Sequence, residues 1–150
     1  MKRTSLIVFI FISLVACNKV SKDEQAKIDK DLIMVYAAEN NLSGEFTATN
    51  LWFDIETQGS GEKAYSGAQV TVAYTGYLLD GEQFDASSDD GVTFSLNNVI
   101  EGWQQGIPKF KAGGKGKLII PSELGYGKSG SGSIPGNSVL IFDIELITVL

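Results

Sequence analysis

Hydrophobic and polar positions follow different periods in successive parts of the chain. From Leu6 to Ala16 the residues are apolar throughout, apart from Ser13. Between Asp23 and Glu39, Ile28, Leu32, Val35 and Tyr36 recur at helical spacing, and Asn40, Asn41 and Gly44 close the segment, so a helix over 23–39 is predicted. Such a helix would serve equally as a cap packed on the domain or as a partner-binding helix. From Thr47 the period becomes two. In "TNLWFDIET", Leu51, Phe53 and Ile55 share one face, the pattern of a half-buried strand. A loop over 58–67 precedes a long strand over 68–79, with Val70, Val72 and Tyr74 on one face. Asp80-Gly81 marks a hairpin turn. "FDASS" and "VTFSL" read as short strands parted by "DDG", and "EGWQQGI" as one or two helical turns stopped by Pro108. "GKLIIP" and "SVLIFDIELITVL" are strands, separated by the Gly- and Ser-rich loop "SELGYGKSGSGSIPGN". Many strands and one short central helix predict an α+β fold. An antiparallel sheet wraps around that helix, and a short helical extension precedes it. There is no βαβ alternation. "GYGKSGSG" leads into loop and strand rather than helix, so it is not a phosphate loop.

Charge and rare residues narrow the chemistry. Lys2 and Arg3 stand before the first apolar run, which is too short to span a bilayer and has the form of a signal-peptide core. The run ends in "LVAC", which resembles a bacterial lipobox, in which the cysteine is acylated and becomes the first residue. Cys17 is the one cysteine of the chain, so an intrachain disulfide is impossible. The expected organisation is a lipoprotein signal peptide over 1–16, a lipidated tether and helix over 17–45, and a globular domain over 46–150. Loss of residues 1–16 removes Lys2 and Arg3 and no acid, taking the net charge from −6 to −8. An acidic chain without a basic patch is a poor fit for nucleic acid and for anionic lipid surfaces, so contact with a membrane is expected through the anchor at Cys17. The absence of histidine excludes Ser-His-Asp and Cys-His catalysis and every histidine-ligated metal. Carboxylates, hydroxyls, backbone amides and apolar pockets remain.

Four stretches carry a resemblance: "VTVAYTGYLLDGEQFDAS", "VIEGWQQGI", "LIIPSELGYG" and "IPGNSVLIFDIEL". In this order and spacing they resemble FKBP-type peptidyl-prolyl cis–trans isomerases, over roughly residues 46 to 150. The resemblance implies a proline cleft lined by Tyr74, Phe84, Val99, Ile100, Trp103, Tyr126 and Phe142. Trp103 would form the floor and Ile134-Pro135 the far lip. It also implies that Asp85 is the acid at the rim, that Tyr126 hydrogen-bonds a substrate carbonyl, and that the Ile100 backbone amide is a further donor. Asp85, Tyr126 and Trp103 are the implied catalytic residues, with no cofactor and no metal. Read without the resemblance, Tyr74 and Phe142 alternate as core residues, Trp103 could anchor the core, and Asp85 could cap the turn at "ASS". Tyr126, between two glycines in a loop, is least like core. The sequence departs from the family at Val92, where many eukaryotic relatives carry an aromatic. The loop after Tyr126 lacks the bulky residues that contact macrolide inhibitors.

The residue types suit that reaction. Rotation about an X–Pro bond breaks no covalent bond; its barrier of about 18–20 kcal/mol is lost amide resonance. An apolar cleft that excludes water favours the less polar twisted amide over the planar one. The resemblance therefore implies a monomeric, lipid-anchored isomerase acting on proline-containing exported polypeptides in the cell envelope, at the outer membrane on its periplasmic or surface face. The alternative is a non-catalytic module that holds a proline segment within an envelope complex such as gliding or secretion machinery. "SKDE" after Cys17 resembles the surface-export signals of Bacteroidetes lipoproteins.

Overall fold

The computed structural model describes residues 20–150. The signal run and the expected anchor at Cys17 lie outside the described residues.

The first element, α1 (Lys22–Glu39), begins at Ser21, whose hydroxyl accepts the Glu24 N–H at 3.2 Å. Asp23 and Glu24 in its first turn complement the helix dipole. Its docking face meets the one its apolar spacing suggests only at Tyr36, which is half-buried against the cluster of Ile33 and Trp52. Asp29, Ile33 and Ala37 are the buried residues, whereas Ile28, Leu32 and Val35 are 40–55 % exposed. The reason is steric and polar together. Ala37 allows a close approach to the sheet, Ile33 fills the space beneath, and Asp29 finds donors in Ser122. Of the two helical readings, the packed cap describes this contact.

Seven strands follow: β1 (Glu45–Phe46), β2 (Trp52–Thr57), β3 (Gln69–Tyr77), β4 (Gln83–Ala86), β5 (Val92–Ser95), β6 (Gly114–Ile120) and β7 (Leu140–Val149). They form one antiparallel sheet in the order β1-β2-β6-β7-β3-β4. The long β3 shares its outer edge between two partners, β5 along Gln69–Val72 and β4 along Thr75–Tyr77. At the β3–β4 turn, the Gly81 N–H donates to the Leu78 carbonyl at 3.0 Å. This is a longer connection than a two-residue hairpin.

The concave face packs on α2 (Glu101–Gly106) and holds the main core, including Val70, Val72, Leu118, Ile120, Phe110 and Leu146. A smaller core of Trp52, Ile119, Val139 and Ile141 lies on the reverse face beneath Ile33 and Ala37 of α1. β2 is therefore covered on both sides, and Trp52 is 3 % exposed instead of facing solvent as a half-buried strand would have it.

Two glycines let α2 lie close to the sheet. A Cβ on Gly102 would come within 2.4 Å of the Ile120 side chain, and one on Gly106 within 2.6 Å of Leu118. With its glycines against β6, the helix aims Trp103 along the concave face. Pro108 does not stop the chain's winding. It sits within a following 3-10 turn (Ile107–Lys109), where its missing N–H is not needed, and the buried Phe110 ends the turn.

Candidate functional site

One end of the concave face opens into a cleft of about 730 Å³. Trp103 lies at its base, 4 % exposed, ringed by aromatic edges. Tyr74 meets it edge-on with centroids 4.9 Å apart at 89°, and Phe142 does the same at 5.2 Å and 84°. Phe84 stands edge-on to Phe142 at 5.5 Å. Such edge-to-face pairs add about 0.5–1.5 kcal/mol each beyond their area burial. The strands impose this arrangement. Gly76 pairs with Phe142 across β3–β7 and with Asp85 across β3–β4. A Cβ on Gly76 would lie 2.7 Å from the Phe84 ring and 2.9 Å from Phe142, so only glycine leaves room for the two rings to converge. The indole N–H of Trp103 is buried without a hydrogen-bond partner, the only such side-chain atom among the described residues. Leaving it unpaired costs about 1–3 kcal/mol, a local frustration of the kind that collects at functional sites.

The rim is polar. Tyr74 donates its hydroxyl proton to Asp85 Oδ2 at 2.8 Å, and the Ala86 N–H donates to Asp85 Oδ1 at 2.9 Å. Burial first, and then the Asp85 hydrogen bond and charge, push the Tyr74 phenol up to about 12. Tyr74 thus remains a neutral donor across the physiological range and fixes the carboxylate at the cleft edge. The turn at "ASS" is served mainly by Ser87, whose hydroxyl accepts the Tyr74 N–H at 2.9 Å and donates to the Ser88 carbonyl at 2.8 Å.

Ile100 precedes α2, and its carbonyl accepts the Trp103 and Gln104 N–H groups at 3.0 and 3.2 Å. Gln104 in turn donates its side-chain amide to the Val99 carbonyl at 2.9 Å. Tyr126, 39 % exposed, follows a 3-10 turn (Ser122–Leu124) and lines the cleft. The same loop also lines the cleft with the turn Ser131–Ile134, closed by reciprocal backbone bonds of 3.0 and 2.9 Å.

The structure therefore brings Tyr74, Phe84, Asp85, Val99, Ile100, Trp103, Tyr126, Ile134 and Phe142 into one cleft. Pro135 is not part of the lining, which is completed at the lip by Ser131, Gly132 and Ser133. Sequence reasoning missed Phe94, which lies 5.3 Å from Trp103. Its signal was the alternation of "VTFSL", which puts Phe94 and Val92 on one face of β5 and so admits an aromatic beside the helix. Val92 itself is 45 % exposed and does not line the cleft. The arrangement offers an aromatic floor and a rim of one carboxylate and hydroxyls, with no nucleophile–base pair among the lining residues.

Known proteins share this architecture. The sequence model of the FKBP-type peptidyl-prolyl cis-trans isomerase family matches residues 60–147. The FKBP-type peptidyl-prolyl cis-trans isomerase FkpA of Aeromonas hydrophila is 40 % identical over 146 residues, which cover 87 % of this chain and 53 % of that protein. The FK506-binding protein of Neisseria meningitidis serogroup B is 45 % identical over 97 residues, 61 % of this chain and 89 % of its own. The chain spans about half the length of the FkpA relatives it matches. The crystal structure of a peptidyl-prolyl cis-trans isomerase from Pseudomonas syringae superposes with a TM-score of 0.74 at 31 % identity, covering 87 % of this chain and 97 % of that one. The family match takes in more than half of the sequence and includes all of the aromatic cleft, and the chain belongs to the FKBP-type peptidyl-prolyl cis-trans isomerase family.

Proposed function

We propose that the protein catalyses cis–trans rotation of X–Pro bonds in exported polypeptides. The observation that carries this reading is the Trp103-floored aromatic cleft with Asp85 held at its rim by Tyr74. A proline ring fits such a cleft, and burial there strips water from the amide that follows the preceding residue. Planar amides are the more polar states, so their hydration is lost while the twisted state loses less. Trp103, Asp85 and Tyr126 act on the reacting amide. Tyr126 donates to a substrate carbonyl, Ile100 supplies a backbone donor, and Asp85 sets the field beside the twisting nitrogen. Tyr74, Phe84, Val99, Ile134 and Phe142 hold the ring and the residue before it. No proton is transferred and no bond is broken, which is consistent with a chain that has no histidine.

The same proposal places the protein in the cell envelope, attached through lipid on Cys17, with residues 46–150 as the catalytic domain. "LVAC" and the basic, apolar segment before it support this. No helix among the described residues is long and apolar enough to cross a membrane. Two measurements test the proposal. A protease-coupled assay on a Leu-Pro peptide should show isomerisation accelerated by the wild type; binding of the peptide without acceleration would leave a proline-holding module instead. Palmitate labelling in cells should mark the wild type and not Cys17→Ser, and equal labelling of both would end the lipoprotein reading.

A further inference from the structure

Asp29 and Ser122 are the two buried polar side chains among the described residues, at 0 % and 2 % exposure. A carboxylate out of water is costly unless hydrogen bonds replace its hydration. Asp29 has three. Gln25 donates its side-chain amide to Oδ1 at 2.7 Å, while the Ser122 backbone N–H and hydroxyl both donate to Oδ2, at 2.7 and 2.6 Å. Adhesion of α1 to the sheet does not require this. Ile33 and Ala37 already dock the helix, and an aliphatic side chain at position 29 would extend that contact without burying a charge.

A carboxylate supplies something an aliphatic cannot, namely a fixed orientation for the Ser122 peptide. Ser122 opens the 3-10 turn that leads to Tyr126, and the cap position before it is Pro121, which provides no side-chain acceptor. Asp29 therefore caps this turn from another element, 93 residues away in sequence. Beyond Ser122 the chain has little freedom. The Leu124 and Gly125 N–H groups donate to the Pro121 and Ser122 carbonyls at 3.0 and 3.1 Å, and Leu124 is buried in the main core. Tyr126 comes next, and the Asn137 N–H donating to the Gly127 carbonyl at 2.8 Å ties the far side. The cap from α1 is thus the tie that enters this turn from another element, at its first residue, ahead of the local bonds and the buried Leu124 that lead to Tyr126.

We propose that Asp29 is a positioning residue for the isomerisation: through Ser122 it sets where the Tyr126 hydroxyl stands over the cleft. The proposal rests on the role given to Tyr126 above. The exposed Lys22–Glu123 pair at 2.7 Å, on the same helix–turn contact, has no such role, because surface pairs of this kind contribute little.

A double-mutant cycle on the full chain tests it, with kcat/KM on the Leu-Pro peptide as the readout. Asp29→Ala should lower kcat/KM roughly two- to tenfold, the worth of the one neutral hydrogen bond it misplaces. Asp29→Asn, which keeps an acceptor oxygen, should recover part of the loss, and Lys22→Ala should leave activity unchanged. In a Tyr126→Phe background, Asp29→Ala should have almost no further effect, because the hydroxyl it positions is already gone. A role confined to stability would not produce that coupling. Near-ultraviolet circular dichroism checks the fold; should Asp29→Ala fail to fold, Ser122→Ala takes its place in the cycle. Additive losses in a wild type that is active would overturn the positioning role alone. A wild type that does not accelerate isomerisation would overturn the functional reading and this inference with it.

Discussion

Asp85 and Tyr126 differ in how each is held, and this separates the consequences of losing them. Tyr126 is half-exposed on a loop, and its expected contribution is one neutral hydrogen bond to substrate. Tyr126→Phe should therefore reduce kcat/KM roughly two- to tenfold with the fold intact. Asp85 carries a charge fixed by Tyr74 and by the Ala86 N–H beside an apolar floor. Hydrogen bonds to charged groups contribute about 1.5–3 kcal/mol, so Asp85→Val should cost more, roughly ten- to a hundredfold. An active wild type unaffected by both substitutions would remove these residues from the site. The Tyr74 phenol supplies a pH signature. Its folded value of about 12 lies above the ordinary 10.0, because burial and Asp85 disfavour the phenolate. Between those two values the unfolded chain gives up the proton that the folded chain keeps. The stabilisation is complete below pH 10 and is lost as pH rises toward 12. Denaturant melts from pH 9 to 12 should show a steeper alkaline loss in wild type than in Tyr74→Phe. Identical slopes would mean that the phenol is not held as the geometry indicates.

Among the elements, α2 has six residues, two of them glycine, a composition that intrinsic propensity disfavours. Packing explains it. Gly102 and Gly106 let the helix axis approach Ile120 and Leu118, and Trp103, on another face, is thereby aimed into the cleft. Gly102→Ala would gain roughly 0.5–1 kcal/mol of backbone entropy. Against this, the new methyl must displace a buried Ile120 from 2.4 Å, an overpacking that costs about 1–3 kcal/mol. The variant should be less stable by urea unfolding, and its kcat/KM should fall because Trp103 lifts with the helix. A more stable variant with full activity would show that the contact yields freely. The central helix and the long strands were legible in the sequence because Val70, Val72 and Tyr74 alternate cleanly and "EGWQQG" breaks that alternation. The docking face of α1 was not. Two stripes lie side by side on that helix, and the more apolar one, Ile28–Leu32–Val35, faces solvent. Spacing ranked it first, whereas Ile33 and Ala37 make the apolar contact with the sheet, and Asp29 bonds to a distant serine on the same face.

The whole molecule has two cores back to back on one sheet, and each contains one tryptophan. Trp103 lies in the core that opens to the cleft; Trp52 is sealed beneath α1 with Ile119 and Ile141. The sequence read by itself placed both on plausible elements but could not assign β2 a second covered face, since that depends on a helix joined through residues remote from it. Phe94 escaped for a similar reason: its neighbour Trp103 comes from another element, and local alternation does not say which faces meet. The division gives a clean optical test of the cleft. Both indoles are at most 4 % exposed, so both should emit as buried tryptophans in the free protein. A Leu-Pro peptide that seats its ring on Trp103 displaces water from that core alone. Its titration should change the emission of wild type and of Trp52→Phe by the same amount and to the same saturation. Trp103→Leu, with the fold checked by circular dichroism, should lose the response. A signal that survives Trp103→Leu and disappears in Trp52→Phe would move the binding surface to the α1 side of the sheet.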